Sequence, residues 1–242
     1  MFRVINETTG LNKPSYLSVT TITSTFKIDS DIDVHALKQK MKDEPFTIKK
    51  KDGSAVYTWN IKDNKFFNQI TAEYRDEFSK KSIKFFPNGS IHVTGCSDLV
   101  DCHRVINQVK FCIKHYTDKD VDASDFKVLM INANFTMNYM LNLGTVSSTS
   151  EKLGCTVSFK PEIYSAVKLK FFPGPGMKKI TASVFSSGCI LITGAKTLAE
   201  ITSSYRFLIG MLKSSCMRPN PTTKKFKKFM GIPFDTWEKK VC

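Results

Sequence analysis

A ten-residue string occurs twice in this chain, and its recurrence limits the folds open to it. Phe86-Pro87-Asn88-Gly89-Ser90-Ile91-His92-Val93-Thr94-Gly95 returns as Phe185-Ser186-Ser187-Gly188-Cys189-Ile190-Leu191-Ile192-Thr193-Gly194, five of ten positions identical without a gap at an offset of 99. A β-rich run precedes each copy and an amphipathic helical pattern follows it, so the repeat is a supersecondary unit and not a chance match. Each Phe-x-x-Gly reads as the turn of a β-hairpin, with Gly89 and Gly188 supplying a positive φ.

The helix after the first copy is predicted to start near Ser97-Asp98, with Leu99, Cys102, Val105, Ile106, Val109 and Ile113 at three-and-four spacing. The second opens on a capping box, Thr197 with Glu200, and carries Leu198, Ile201, Tyr205, Leu208 and Leu212. Upstream, Tyr16 to Ile28 reads as a strand with a short helix through Val34, Leu37 and Met41. Phe126 to Leu143 reads as its counterpart, with a helical piece around Ser150 to Leu153. Two hairpins complete the halves: Phe67–Arg75 with Lys81–Phe86, and Tyr164–Phe171 turned by Pro173-Gly174-Pro175-Gly176 into Lys179–Phe185. The organisation is a first repeat over 1–120, a second over 121–212 and a basic extension over 213–242. Within the first repeat, Pro45 to Ile61 forms an inserted hairpin turned at Lys51–Ser54, without counterpart in the second.

Thirty-six Lys+Arg against 22 Asp+Glu leave a net charge of +14, which suits a polyanionic partner. No apolar run is long enough to span a bilayer and no signal peptide is evident, so the chain is expected to be intracellular. Seven cysteines with no C-x-x-C pair read as small buried hydrophobes, and His35, His92, His103 and His115 lack metal-ligand spacing, so no metal or cofactor is expected. Asp29, Asp31 and Asp33 lack the glycine and distal glutamate of an EF-hand. No nucleophile, paired-carboxylate or P-loop signature is present, and a non-enzymatic role follows. Eight Lys/Arg between Lys213 and Cys242, including Lys224-Lys225-Phe226-Lys227-Lys228-Phe229, fit either extra phosphate contacts, an import signal or a solvated tail.

Phe185 to Lys196 (Phe-Ser-Ser-Gly-Cys-Ile-Leu-Ile-Thr-Gly-Ala-Lys), the strand entry Pro161-Glu162-Ile163-Tyr164, and Phe126-Lys127-Val128 resemble the core domain of the TATA-box-binding protein family, over roughly Tyr16 to Leu212. The divergence suggests a distant member such as a large DNA virus encodes. The resemblance implies an α+β saddle in which two pseudo-symmetric repeats form one curved antiparallel sheet with helices on its convex face. It implies a general transcription initiation factor that binds AT-rich double-stranded promoter DNA in the minor groove and bends it. A B-type initiation factor and RNA polymerase machinery would be its partners, in a nucleus or a cytoplasmic viral factory. An interaction adaptor without DNA bending, or an accessory substrate-binding domain of a nucleic-acid enzyme, are the alternatives.

By position, the resemblance makes Phe67, Phe86, Tyr164 and Phe185 the aromatic wedges. Strand alternation places Phe86, His92 and Thr94, and Phe185, Leu191 and Thr193, on the face away from the helices. The implied groove floor is Leu17, Val19, His92, Thr94, Met130, Asn132, Leu191 and Thr193; the family's symmetric asparagines fall on Leu17 and Met130, with Asn132 and Asn134 nearby. Phosphate contacts fall to Arg75, Lys84, Lys170 and Lys196, the first half lacking the rim lysine because it reads Thr94-Gly95-Cys96-Ser97. Pro161 and Glu162 would meet a partner factor.

Overall fold

The computed structural model describes residues 14–15, 17–49, 51, 55–62, 66–76 and 80–220, and the backbone of 228–229 and 232–233. They fall into two compact units, Val19–Asn132 and the combination of Met1–Ser18 with Ala133–Cys242.

In the first unit the chain runs through β1 (Ser18–Ile28), α1 (Val34–Asp43), β2 (Thr47–Lys49), β3 (Ala55–Lys62), β4 (Ile70–Arg75), β5 (Lys80–Phe85), β6 (Ser90–Cys96) and α2 (Leu99–Thr117). The strands lie in the order β2-β3-β4-β5-β6-β1, all antiparallel. Alternate residues of β1, β4, β5 and β6 are buried: Ile22 and Phe26, Ile70 and Ala72, Ile83 and Phe85, Ile91 and Val93. They meet Cys102, Val105, Val109 and Cys112 of α2 and Leu37 and Met41 of α1 in one core. The Asp98 carboxylate accepts from the Asp101 amide at 2.7 Å and starts α2 where the sequence predicts it. Leu99 and Ile106 are not buried, so the apolar stripe is narrower than the spacing suggests.

β7 (Ala123–Thr136) leads into the second unit, followed by β8 (Tyr139–Leu141), α3 (Leu143–Lys152), β9 (Thr156–Ser158), β10 (Ala166–Phe171), β11 (Ile180–Phe185), β12 (Cys189–Ala195), α4 (Leu198–Leu212) and β13 (Cys216–Pro219). The order here is β7-β12-β11-β10-β9, with α3 and α4 packed on the side of Leu169, Ala182, Val184, Ile190 and Ile192. The expected capping box is present: the Glu200 amide donates to Thr197 Oγ1 at 3.1 Å, and Glu200 Oε2 accepts from the Thr197 amide at 3.2 Å.

The repeat extends to the hydrogen-bond register. Ser82, Ile83, Lys84 and Phe85 lie opposite Thr94, Val93, His92 and Ile91, and Thr181, Ala182, Ser183 and Val184 lie opposite Thr193, Ile192, Leu191 and Ile190, the same offset of 99 throughout. Each Phe-x-x-Gly turn closes with the glycine amide donating to the phenylalanine carbonyl, at 3.1 Å for Gly89 and 2.9 Å for Gly188. Each glycine carbonyl then accepts from the end of its unit's first strand or the residue after it, from Ile28 at 2.9 Å and Met137 at 2.8 Å. A Cβ on Gly188, at φ +82, would collide with the Tyr139 carbonyl oxygen, so this docking leaves room only for glycine.

Several expectations are corrected. The strand expected over Phe126–Leu143 begins at Ala123 and ends at Thr136, and β8 is separate because Asn138 turns the chain at φ +60. Its helix starts at Leu143, well before Ser150, because Asn142 Oδ1 accepts from the Thr145 amide and caps it. The insert over Pro45–Ile61 is antiparallel β2 and β3, but β3 is not without counterpart: it flanks β4 as β9 flanks β10, and the added strand is β2. Of the turn expected between them, Asp52, Gly53 and Ser54 lie outside the described residues, as does most of the basic tail including Lys224, Lys225 and Lys227. The start of the expected extension is structured, since β13 pairs with β8 and the Ser215 carbonyl accepts from the Asn142 amide at 3.0 Å. Leu17 is corrected too. It precedes β1 and is buried, so it does not lie on an open sheet face, while nearby Ser15 donates to the Thr136 carbonyl and accepts from the Tyr205 hydroxyl.

One further difference separates the halves. Lys81, at the position of Ile180, is fully buried with Nζ 3.0 Å from both Asp76 Oδ2 and Asp101 Oδ1, and Arg104 Nη2 reaches the same carboxylates at 3.2 and 2.5 Å.

Candidate nucleic-acid interface

Strand residues that point away from the helices form an open face in each unit. In the second it consists of Thr156 and Ser158 of β9, Lys168 and Lys170 of β10, Thr181, Ser183 and Phe185 of β11, and Leu191 and Thr193 of β12, aligned in rows by the register. At its end the Tyr164 and Phe185 rings meet edge to face, centroids 5.9 Å apart, and Lys168 Nζ lies 4.4 Å from the Tyr164 centroid. Tyr164 is held there by its amide, which donates to the Lys160 carbonyl at 2.9 Å across a turn that leaves Pro161, Glu162 and Ile163 exposed. Lys196 is exposed beyond β12, its amide fixed by Glu200 Oε2 at 2.6 Å.

The first unit's open face is more polar. Lys62, Thr71, Lys84, His92 and Thr25 form one row, and Asn60, Glu73, Ser82, Thr94 and Thr23 the next. Thr25 Oγ1 donates to the Ile91 carbonyl at 2.9 Å, and Phe86 packs on His92 with centroids 4.9 Å apart. Phe67 is 83% exposed, so unlike Tyr164 it is not folded against its partner phenylalanine. Val19 is half-buried on β1. Met130 and Asn132 are half-buried on β7, and Asn132 Oδ1 is buried without a hydrogen bond among the described residues.

The register settles which residues correspond. Ala166 lies opposite Phe185, and extending the β4–β5 ladder one step beyond Ile70–Phe85 brings Gln69 opposite Phe86. Phe67 and Tyr164 each stand two residues before that position, which singles out Phe67 over its exposed neighbour Phe66. The same count corrects Arg75: the counterpart of Lys170 is Glu73, and Arg75 falls opposite Lys80 at the end of the ladder. Glu73 Oε2 lies 2.8 Å from Lys80 Nζ and 3.3 Å from Lys62 Nζ, with Arg75 Nη2 4.0 Å from Oε1. The Lys80 hydrogen bond holds the Glu73 carboxyl below its ordinary range, against the opposing effect of burial. Sequence reasoning missed Lys168, which shares the parity of Lys170, and Glu73, which stands six residues after Phe67 as Lys170 does after Tyr164.

Among the described residues no group of three or more His, Cys, Asp or Glu is placed to hold a metal ion, and no helix is long and apolar enough to cross a membrane. Cys96, Cys102, Cys112 and Cys155 are buried, as expected, whereas Cys189 and Cys216 are half-buried.

The pattern that defines the family "Transcription factor TFIID (or TATA-binding protein, TBP)" matches residues 125–215. A TATA-box-binding protein-like protein of Acanthamoeba polyphaga mimivirus is 29% identical over 176 residues, 61% of this chain and 48% of the other. A TATA-binding-type protein of African swine fever virus is 31% identical over 152 residues, 57% of each chain. The chain thus spans about half the length of the curated relatives it matches. The solved structure of the Methanococcus jannaschii TBP superposes with a TM-score of 0.58 at 17% identity, covering 82% of this chain and 98% of that one, and shows the α+β fold to be shared. Residues 125–215 match the TATA-binding protein family, and the chain is similar to the TATA-binding-protein-like proteins of large DNA viruses.

Proposed function

We propose that the chain is a transcription initiation factor that binds promoter DNA in the minor groove and bends it. The observation that carries this reading is the aromatic pair at one register position of both units, Phe67 with Phe86 and Tyr164 with Phe185, each at the end of an open sheet face. Four aromatic side chains so placed suit insertion between base pairs, where unstacking costs a few kcal/mol per step and is offset by the contacts that bent DNA permits. Leu191 and Thr193 present few hydrogen-bonding groups to a groove whose A·T pairs show only acceptors. Lys168, Lys170 and Lys196 are exposed and supply phosphate contacts, so affinity falls steeply with salt. The exposed Pro161–Glu162 turn and the outer helix faces are left for a B-type initiation factor and the polymerase.

The test is a fluorescence bending assay on AT-rich and GC-rich duplexes across a salt series, comparing wild type with the double variant Phe86→Ala, Phe185→Ala. Bending that the double variant loses supports the reading; binding without bending, or a variant that matches wild type, refutes it. Binding without bending favours an adaptor that keeps the fold, a reading to which the charged first-unit face lends weight.

A further inference from the structure

We propose that Glu73 is an internal competitor of DNA phosphate, which makes the first unit the weaker of the two DNA-binding halves. The inference rests on the DNA-binding reading above and concerns how its phosphate contacts are shared out.

Glu73 and Lys170 occupy one position of the repeated sheet, opposite Ser82 and Thr181 respectively. The second unit places a cation there, and its strands β9 to β12 contain no carboxylate at all. The first unit places an anion there and surrounds it with Lys80, Lys62 and Arg75 at 2.8, 3.3 and 4.0 Å. The Glu73 side chain is only 13% exposed, whereas those of Lys62, Arg75 and Lys80 are 50%, 62% and 52% exposed. The carboxylate therefore lies low on the face while the cations rise around it within reach of an incoming phosphate. Any phosphate they meet must share them with Glu73, and the counterion release that drives association is reduced by each cation already neutralised. Lys168 and Lys170 face no such competition from their own sheet. DNA engagement is accordingly led by the second unit.

The experiment measures the affinity of the full chain for an AT-rich duplex between 50 and 200 mM salt, roughly the range over which phosphate contacts change affinity most visibly. Glu73→Gln keeps the shape and removes the charge; Glu73→Ala removes the group. Glu151→Gln, on α3, makes the same change in net charge away from the face. Thermal melts confirm that each variant is folded. Both Glu73 variants are expected to bind about threefold or more tighter at low salt, with the slope of log K against log salt steeper by about 0.9 for each additional phosphate neutralised, and Glu151→Gln to match wild type. Folded Glu73 variants with wild-type affinity and slope overturn the proposal. So does weaker binding, which would mean that Glu73 holds the cations in place for DNA. If wild type binds no duplex at any salt, the DNA-binding reading itself fails, and this inference falls with it.

Discussion

Replacing Lys81 by methionine tests whether the buried charge cluster holds the first unit together. The substitution nearly conserves volume, so it leaves no large cavity, but it takes from Asp76 and Asp101 a cation 3.0 Å from each. Breaking a buried pair by removing one partner costs about 3–5 kcal/mol, because a charge remains in a poorly solvating site. Arg104 still reaches both carboxylates at 3.2 and 2.5 Å, and its side chain is 34% exposed. The cost therefore falls at the lower end, about 3 kcal/mol, or a fall in Tm of about 10 °C for a unit of this size. Circular dichroism melts at pH 7, with denaturant titrations alongside, measure it. A variant within about 1 kcal/mol of wild type would refute the reasoning, because it would show that the carboxylates are adequately solvated or compensated without Lys81.

Acid should destabilise the protein through Asp101, Glu73 and Glu200. Burial raises the Asp101 pKa, but the Ser97 amide, Lys81 and Arg104 outweigh it and hold the group below its ordinary value; Glu73 and Glu200 are also lowered. For groups depressed in the folded state, the stabilisation is full above the unfolded-chain values of about 4 and is lost as pH falls through the lower folded values, which an acid titration followed by circular dichroism will show. Gly188→Ala drives a Cβ into the Tyr139 carbonyl at a positive φ, and should cost more than about 2 kcal/mol. Gly154→Ala, also at positive φ but with nothing within 4 Å, should cost only about 1 kcal/mol, and equal melts for the two variants would rule out the docking argument.

The hairpins, their turns and the two long helices were legible because local signals agreed: the Phe-x-x-Gly string, β-branched alternation, and the caps at Asp98 and Thr197. The start of α3 was not, because Leu143-Gly144-Thr145-Val146 has poor helix propensity and is fixed instead by the Asn142 cap and the burial of Val146 and Ser150. β9 is three residues long, too short for its kinship with β3 to show in the sequence, and only the strand order reveals it. Leu17 stood on the groove floor only through the resemblance, and its burial ahead of β1 depends on packing that no local pattern announces. Arg75 lies opposite Lys80 at the end of its ladder, and the six-residue count from Phe67, the same as from Tyr164 to Lys170, leads instead to Glu73. The correspondence of Phe86 with Phe185 followed from the repeat, since a fixed register carries equivalent side chains to equivalent places.

The constant offset across β5–β6 and β11–β12, against an offset two residues smaller between β4 and β10, confines the length difference between β4–β6 and β10–β12 to the β4–β5 and β10–β11 turns. The hairpin 180–195 is therefore a cassette that can be grafted in place of 81–96 without a gap, provided Asp76 and Asp101 are replaced together with the lysine that the graft removes. Such chimaeras would let each half of a duplicated protein be rebuilt from the other, one hairpin at a time.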